Sequence, residues 1–502
     1  MSIIIGVDIG TTHIKAIAYS EAGELLHEER VICKTIKPAP DRAEQDPEII
    51  FQSLISLLQT VFISLRNESL AGVCFSAGMH SIMAVDQAGE PITNAILWGD
   101  TRSIRQARTL KDNGLAAEIG ARSGVPIHPS LPLCKIMWLR EQEPEIFSRS
   151  YKFISLKEYV FLKLFGKYVV DHSIAAATGF LDLHTLQWNE LALKTAGIRE
   201  DQLSHLVSTT HSENLLLDKY RDYFNLKQVA PFIIGSSDGC LANIGTGVWN
   251  PGKAALTIGT SGAVRTTGSR PLFHPKQSLF CYPLTEDLFV TGGATNNGGY
   301  VLQWYARNFL QRELVSEEDY DWFVKEAHKV PAGAEGLIFL PYLQGERAPI
   351  WDAEARGVFF GLNALHRQQN MMRAVIEGVS FALYQVFQSL EESSGHIGTI
   401  CASGGFVQSP LWVQMLADIF NRRIMVTNIA DASSIGAALL GFYALGAIKS
   451  WDEVKDRIPE GKIYYAIPSQ HADYMKYFEI YRNLYPALRT EFQKLGSLVR
   501  GH

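Results

Sequence analysis

The chain has 502 residues, 47% of them hydrophobic and 20% charged, the profile of an ordinary soluble globular protein. Its 46 basic and 52 acidic side chains leave a net charge of −6, which offers no attractive field to nucleic acid or an anionic membrane. An anionic substrate would therefore have to be drawn in by a local positive pocket.

Single cores stop growing near ~250–300 residues, so at least two domains are expected. The six cysteines, at 33, 74, 134, 240, 281 and 401, include no C-x-x-C pair and read as reduced, buried thiols. No basic-then-apolar leader precedes the first strand. The longest apolar stretch, 437–448, is broken by two glycines and falls short of the ~18 residues of a membrane span. A soluble cytoplasmic protein without nucleic-acid or membrane partners is expected.

In chain order, Ile3-Ile4-Ile5 opens a strand that ends at Asp8-Ile9-Gly10-Thr11-Thr12, and 13–19 forms the next. The region 47–65 carries helical periodicity, 70–75 and 82–86 read as strands, and 151–164 reads as a helix. A buried strand at 228–234 leads through Gly235-Ser236-Ser237-Asp238-Gly239 into a helix. Trp249-Asn250-Pro251-Gly252 is a turn-rich boundary. Beyond it the opening recurs: strand Ala255-Leu256-Thr257, loop Ile258-Gly259-Thr260-Ser261, and strand 262–267. Strands at 288–291, 336–341 and 399–402, helices at 370–389 and 411–420, and a terminal helix at 472–495 complete the chain. The duplication is domain-sized, with α/β alternation in each half. The expected domains are 1–250, 251–450 and a helical extension, 451–502.

A strand–Gly-Thr-Thr/Ser–strand turn presents backbone N–H groups and small hydroxyls to a phosphate. Two such turns, one per half, point to one nucleotide between two related domains. Asp8 precedes the first turn where Thr257 precedes the second, and one carboxylate beside phosphates suits Mg²⁺. Asp8 also fits a turn carboxylate capping its own backbone. No G-x-x-x-x-G-K-[ST] or G-x-G-x-x-G motif is present, which excludes the commoner phosphate loops. Lys15 either neutralises phosphate charge or is a solvated strand lysine. Asp238, at the carboxyl end of a strand, either takes a proton from a substrate hydroxyl or caps the following helix. Gly404-Gly405 either passes flat against a nucleoside or makes a tight connection. Met79-His80 follows a strand and can reach a polyol, although a lone histidine is commonly structural. Trp98, Asp100 and Arg102 suit a sugar, yet Asp100 and Arg102 can pair with each other.

With these residues in view, the chain resembles the FGGY carbohydrate kinases from Ile3 to about Ile448. Two long family patterns are present: Ser130-Leu131-Pro132-Leu133-Cys134-Lys135-Ile136-Met137-Trp138-Leu139-Arg140-Glu141-Gln142, and Gly357-Val358-Phe359-Phe360-Gly361-Leu362 closing with Asn370-Met371 and Ala374-Val375-Ile376-Glu377. The resemblance implies two ribonuclease-H-like domains of the actin/Hsp70/sugar-kinase group, with ATP and sugar in the cleft between them. It implies Asp238 as general base and Asp8 as a Mg²⁺-side carboxylate. Thr11, Thr12, Gly259, Thr260 and Ser261 would meet phosphates, Gly299 and Gln303 would line the nucleotide side, and Gly404, Gly405 and Ser409 the adenosine. Met79 and His80 would meet the sugar, with Trp98, Asp100 and Asn297 beside it. Phrases such as 75–81, 123–129, 168–173 and 345–351 are similar to those of gluconate-specific members. A carboxylate substrate needs cationic partners, and Arg102, His128 and Lys135 are the candidates, Arg102 foremost for its bidentate fork. A xylulose or other polyol specificity is the alternative, and an actin- or Hsp70-like ATPase switch the rival from another class. A homodimer is the expected assembly.

Overall fold

A computed structural model describes residues 2–500 except 227, 228, 428, 430 and 459. The first sheet contains β1 (Ser2–Ile9), β2 (His13–Ser20), β3 (Leu25–Ile32), β4 (Ser69–Ala77), β5 (Ser212–Glu213) and β6 (Phe232–Ser237), in the order β5-β6-β4-β1-β2-β3. The second contains β7 (Lys253–Ile258), β8 (Gly262–Gly268), β9 (Phe280–Pro283), β10 (Phe289–Thr295), β11 (Thr399–Ser403), β12 (Arg423–Thr427) and β13 (Glu460–Tyr464), in the order β9-β10-β8-β7-β11-β12-β13. Stripped of edge strands, the two sheets share one topology. In each, a three-strand antiparallel meander continues through its first strand into two parallel strands. The register repeats too, since Asp8 lies opposite Ser76 and Thr257 opposite Ser403. This is the duplicated ribonuclease-H-like arrangement of the actin/Hsp70/sugar-kinase group.

The main helices are α1 (Pro47–Ser64), α2 (Pro132–Gln142), α3 (Asp238–Gly245), α4 (Gly299–Phe309), α5 (Gln368–Ser394), α6 (Pro410–Phe420), α7 (Ala432–Ala444) and α8 (Pro468–Arg500). Asp46 caps α1, accepting from the backbone N–H of Glu48 and Ile49. By length and composition α1 could cross a membrane. Its apolar face is instead core: Ile50, Phe51, Leu54, Leu58 and Val61 pack beneath the first sheet.

Strand alternation sorts β1 between two cores. Ile3, Ile5 and Val7 face α1, whereas Ile4 joins Ile17 and Cys74 in the cluster that continues into the second half. The bridging element is α7, which packs across β1, β2 and β4 and against α3. Small residues permit this approach. A Cβ on Gly6 would lie 2.1 Å from the Ser434 carbonyl oxygen, and one on Gly436 2.0 Å from that of Leu241.

Two sequence expectations need adjustment. The helix expected over 151–164 begins only at Leu156: Lys152–Ile154 is a strand paired with Met83–Val85, and the Ser155/Glu158 capping box sets the helix start. Of the strand expected over 228–234, residue 228 lies outside the described residues and the strand itself runs Phe232–Ser237. All six cysteines are buried, and none forms a disulfide among the described residues.

Candidate active site

The site lies where the carboxyl end of the first sheet meets the hairpin of the second. Strand β6 delivers Asp238 as the first residue of α3, with Ser237 in the N-cap position. Buried groups brace this junction. Lys157 pairs with Asp171 at 2.6 Å and donates to the Ser236 carbonyl oxygen at 3.1 Å, while the Ser173 hydroxyl meets that of Ser237 at 2.8 Å. Gly235 makes the turn possible at φ +67, where a Cβ would fall 1.7 Å from the Phe75 carbonyl oxygen. Asp238 accepts a 2.6 Å bond from the backbone N–H of Gly239. Burial pushes its pKa up, opposed by the charge of Arg265 and by the Gly239 bond.

At the end of β1, Asp8 accepts from the hydroxyls of Ser76 at 2.6 Å and Ser433 at 3.0 Å. Burial raises its pKa, and the negative charges of Asp431 and Asp238 raise it further. Lys15 forms an ion pair with Asp431 across the two halves, so its charge is already neutralised and it does not point to a phosphate as a free cation. Although burial works against its charge, that pair holds Asp431 below the ordinary carboxylate range. Asp431, the N-cap of α7, was not singled out from sequence. A buried Asp8 whose proton affinity is raised by two neighbouring carboxylates fits a divalent cation carried by phosphates. Among the described residues there is no group of three or more His, Cys, Asp or Glu side chains placed to hold a metal ion.

The two hairpin turns share a closure, with Gly10 N–H donating to the His13 carbonyl and Gly259 N–H to that of Ser261. Thr12, Gly259 and Thr260 are exposed, with Thr11 and Ser261 partly so. The second turn seats the start of α4, because the N–H groups of Gly298 and Gly299 donate to Thr260 and Gly259. Beside it is a cavity of about 250 Å³ lined by Gly259, Thr260, Gly299, Tyr320, Gly405, Phe406, Ser409 and Trp412. Its apolar walls and the unpartnered Ser409 hydroxyl suit a nucleoside. Gln303 stands behind it, donating to the Tyr320 hydroxyl at 2.5 Å. Gly404, at φ +104, turns the chain after β11 in the position corresponding to Ala77, the last residue of β4.

On the other side of Asp238, Met79 and His80 extend from β4. The His80 Nδ1 lies 2.6 Å from the Ala177 carbonyl oxygen and must carry the proton, leaving Nε2 as an acceptor. Burial, with Lys135 nearby, lowers the His80 pKa to about 3. Trp98 is covered by the guanidinium of Arg347, 5.0 Å from the ring centroid. His128 stacks edge-on to Trp351 with ring centroids 5.7 Å apart, and its buried Nε2 has no partner.

The expected carboxylate partners do not serve. Arg102 is locked to Asp100 through Nε at 2.8 Å and Nη2 at 2.7 Å, and to Glu44 at 2.5 Å, so its fork is occupied. Asp100 is correspondingly structural, accepting also from Ala43 N–H at 2.7 Å. Lys135 donates to the carbonyls of His80, Ile96 and Leu97, and burial pushes its pKa down to about 7. Burial, with Lys111 and Arg347 adding to it, drives the His128 pKa well below its ordinary value, leaving a neutral ring. The Asn297 amide is engaged within the protein, donating to the Gly345 carbonyl at 2.8 Å and to Glu346 at 3.0 Å and so fixing the turn that carries Arg347.

Sequence reasoning missed Arg265 and Arg347. Arg265 projects from β8 so that its Nε and Nη2 lie 3.2 Å from where a Gly239 Cβ would stand, beside the Met79 methyl at 3.0 Å from the same point. The available signal was a lone arginine in the small-residue strand Gly262-Ala263-Val264 immediately after the second phosphate turn. A larger recess of about 630 Å³, between Lys111, Trp351 and Arg489, lies outside this constellation.

Comparisons agree with the geometry. The model of the FGGY family of carbohydrate kinases, N-terminal domain, matches residues 3–245, and the C-terminal domain model matches 254–445. The chain is 39% identical over its whole length to a gluconokinase of Bacillus subtilis (strain 168), spanning 99% of that protein. It is similar to the crystal structure of gluconate kinase from Lactobacillus acidophilus, with a TM-score of 0.93, 35% identity, and coverage of 98% of this chain and 99% of that one. A ligand-bound xylulose kinase from the same organism gives a TM-score of 0.93 at 34% identity, covering 99% and 100%. With two hairpin turns, a nucleoside cavity and an aspartate at the sheet edge already in place, these matches show that the chain belongs to the FGGY family of carbohydrate kinases, phosphotransferases that act on a sugar hydroxyl with ATP as donor.

Proposed function

We propose that the protein phosphorylates D-gluconate at its primary hydroxyl, giving 6-phospho-D-gluconate. The observation that carries the reading is the position of Asp238, enclosed between the nucleotide-side hairpin strand and the Met79-His80 turn. Its raised proton affinity suits a group that must take a hydroxyl proton as that oxygen attacks phosphorus. Residues 10–12 and 259–261 offer N–H and hydroxyl donors to the phosphate chain. Mg²⁺, when bound beside Asp8, supplies neutralisation of phosphate charge. His80 Nε2 accepts from a sugar hydroxyl, and Trp98 provides an apolar wall. Approach of the two halves excludes water and limits idle ATP hydrolysis.

Full-length similarity to a gluconokinase supports gluconate, and the equal TM-score of a xylulose kinase makes xylulose the second reading. A coupled ADP-release assay over gluconate, xylulose, ribulose and glycerol decides between them. Gluconate is expected to give the highest kcat/KM, and a higher value for xylulose overturns the assignment. The same reading places the enzyme in the cytoplasm as a homodimer, which cell fractionation and light scattering test.

A further inference from the structure

Among the described residues, neither Arg265 nor Arg347 has a carboxylate within 4.0 Å, although both are enclosed by the site walls. Arg265 makes one hydrogen bond, Nη1 to the Thr257 hydroxyl at 3.2 Å, and Arg347 Nη2 reaches the Thr295 carbonyl at 3.2 Å. The Nε of each is buried without any partner. A guanidinium does not shed its proton in a protein, so an enclosed one with no carboxylate in contact, only the more distant charges of Asp238 and, for Arg347, Glu346, is held at a cost. The other cations weighed for the carboxylate are satisfied: Arg102 by two carboxylates and Lys135 by three carbonyls. Two positive groups with spare, directed donors thus converge on one space.

Their placement matches an open-chain acid. Asp238 must sit at the hydroxyl that receives the phosphoryl group. Arg265 leaves β8 three residues beyond its start at the phosphate turn, about 10 Å along the strand. Arg347 lies farther over, on Trp98 and within the field of His80 and His128. An extended six-carbon chain separates its ends by roughly 6 Å at ordinary C–C bond lengths. Both guanidiniums act electrostatically on Asp238, so a ligand whose hydroxyl meets Asp238 has the pair within reach of the rest of its chain.

We infer that Arg265 and Arg347 form the receptor for the substrate's carboxylate and set the preference for sugar acids over neutral sugars. This deepens the gluconate reading and rests on it. The neutral Nε2 of His128 and the stacked Trp98 then serve the hydroxyl-bearing part of the chain.

The test compares kcat/KM for D-gluconate with that for its neutral counterpart D-glucitol and for D-xylulose, in the wild type, Arg265→Gln and Arg347→Gln. Each variant is expected to lose on the order of 100-fold or more for gluconate, chiefly through KM, and at least about tenfold less for the neutral substrates. ATP binding by calorimetry, unchanged in both variants, shows that the fold survives. Equal losses for acid and neutral substrates, or undiminished gluconate turnover, overturn the inference. A wild type inactive on gluconate but active on another aldonate overturns the gluconate reading alone, and the comparison is then made with that acid. A wild type active on no sugar acid overturns both.

Discussion

The hydroxyl of Ser433, in the first turn of α7, donates to Asp8 Oδ2 at 3.0 Å, so a buried carboxylate of the first half is held by the second. With Asp431 and Asp238 adding to burial, the Asp8 pKa is pushed up from 3.8 to about 7. Between those values the folded chain holds a proton that the unfolded chain has released. Stability therefore falls as pH rises through that window, and the full penalty is present above pH 7. Asp8→Asn should be more stable than wild type at pH 8, by on the order of 2–4 kcal/mol, with the gap closing near pH 4. Thermal melts at the two pH values check this, and an equal gap at both refutes it. In the wild type, the same proton competes with the cation, so the apparent KM for Mg²⁺ should drop about tenfold from pH 6 to pH 8.

Asp238→Asn retains shape but cannot accept the hydroxyl proton. Its kcat should fall by about 10²–10⁴ while ATP affinity is unchanged, read by ADP release and calorimetry. Near-full turnover would remove Asp238 from the general-base role.

His80 is neutral across the working range, with its pKa near 3 and its tautomer fixed by Ala177. No pH dependence in sugar KM should arise from it between pH 5.5 and 8.5, a window chosen to lie about two units or more above that value. His80→Ala should raise sugar KM about tenfold, as loss of one hydrogen-bond acceptor requires. Steady-state kinetics across pH tests both points, and an inflection near pH 6.5 that disappears in His80→Ala would contradict the assignment.

Two glycines should respond in opposite ways. Gly235→Ala forces a Cβ to 1.7 Å from a carbonyl oxygen at φ +67, and should cost more than about 3 kcal/mol or prevent folding. A Cβ at Gly259 would meet nothing within 4 Å, so Gly259→Ala should keep its stability to within about 0.5 kcal/mol. It should nonetheless weaken ATP binding, because the added methyl occupies the approach to the backbone. Unaltered nucleotide affinity would take that turn out of the phosphate site.

The repeated turns and the strand feeding Asp238 were readable because each is local: glycine, hydroxyl and a flanking apolar run within a dozen residues. The Asp100–Arg102 pair was readable as an alternative, whereas the partner of Lys15 and the Glu44 that completes the Arg102 fork were not. Lys15 finds Asp431 across 416 positions, and only the packing of α7 on the first sheet brings them together. Arg265 looked like one more strand residue, since its significance depends on Gly239 lacking a side chain. The strand at Lys152–Ile154 was hidden by apolar spacing that suits a helix, and pairing with Met83–Val85 overrides it.

The crossing of α7 onto β1, β2 and β4 has an outcome for biosynthesis. As the chain leaves the ribosome, the N-terminal sheet is assembled with Ile4, Ile17 and Cys74 still bare on one side, and their cover arrives only after residue 444 has been made. The N-terminal half cannot reach its final stability until that helix has emerged, and a fragment ending at the 249–252 turn would carry an open greasy face into solution.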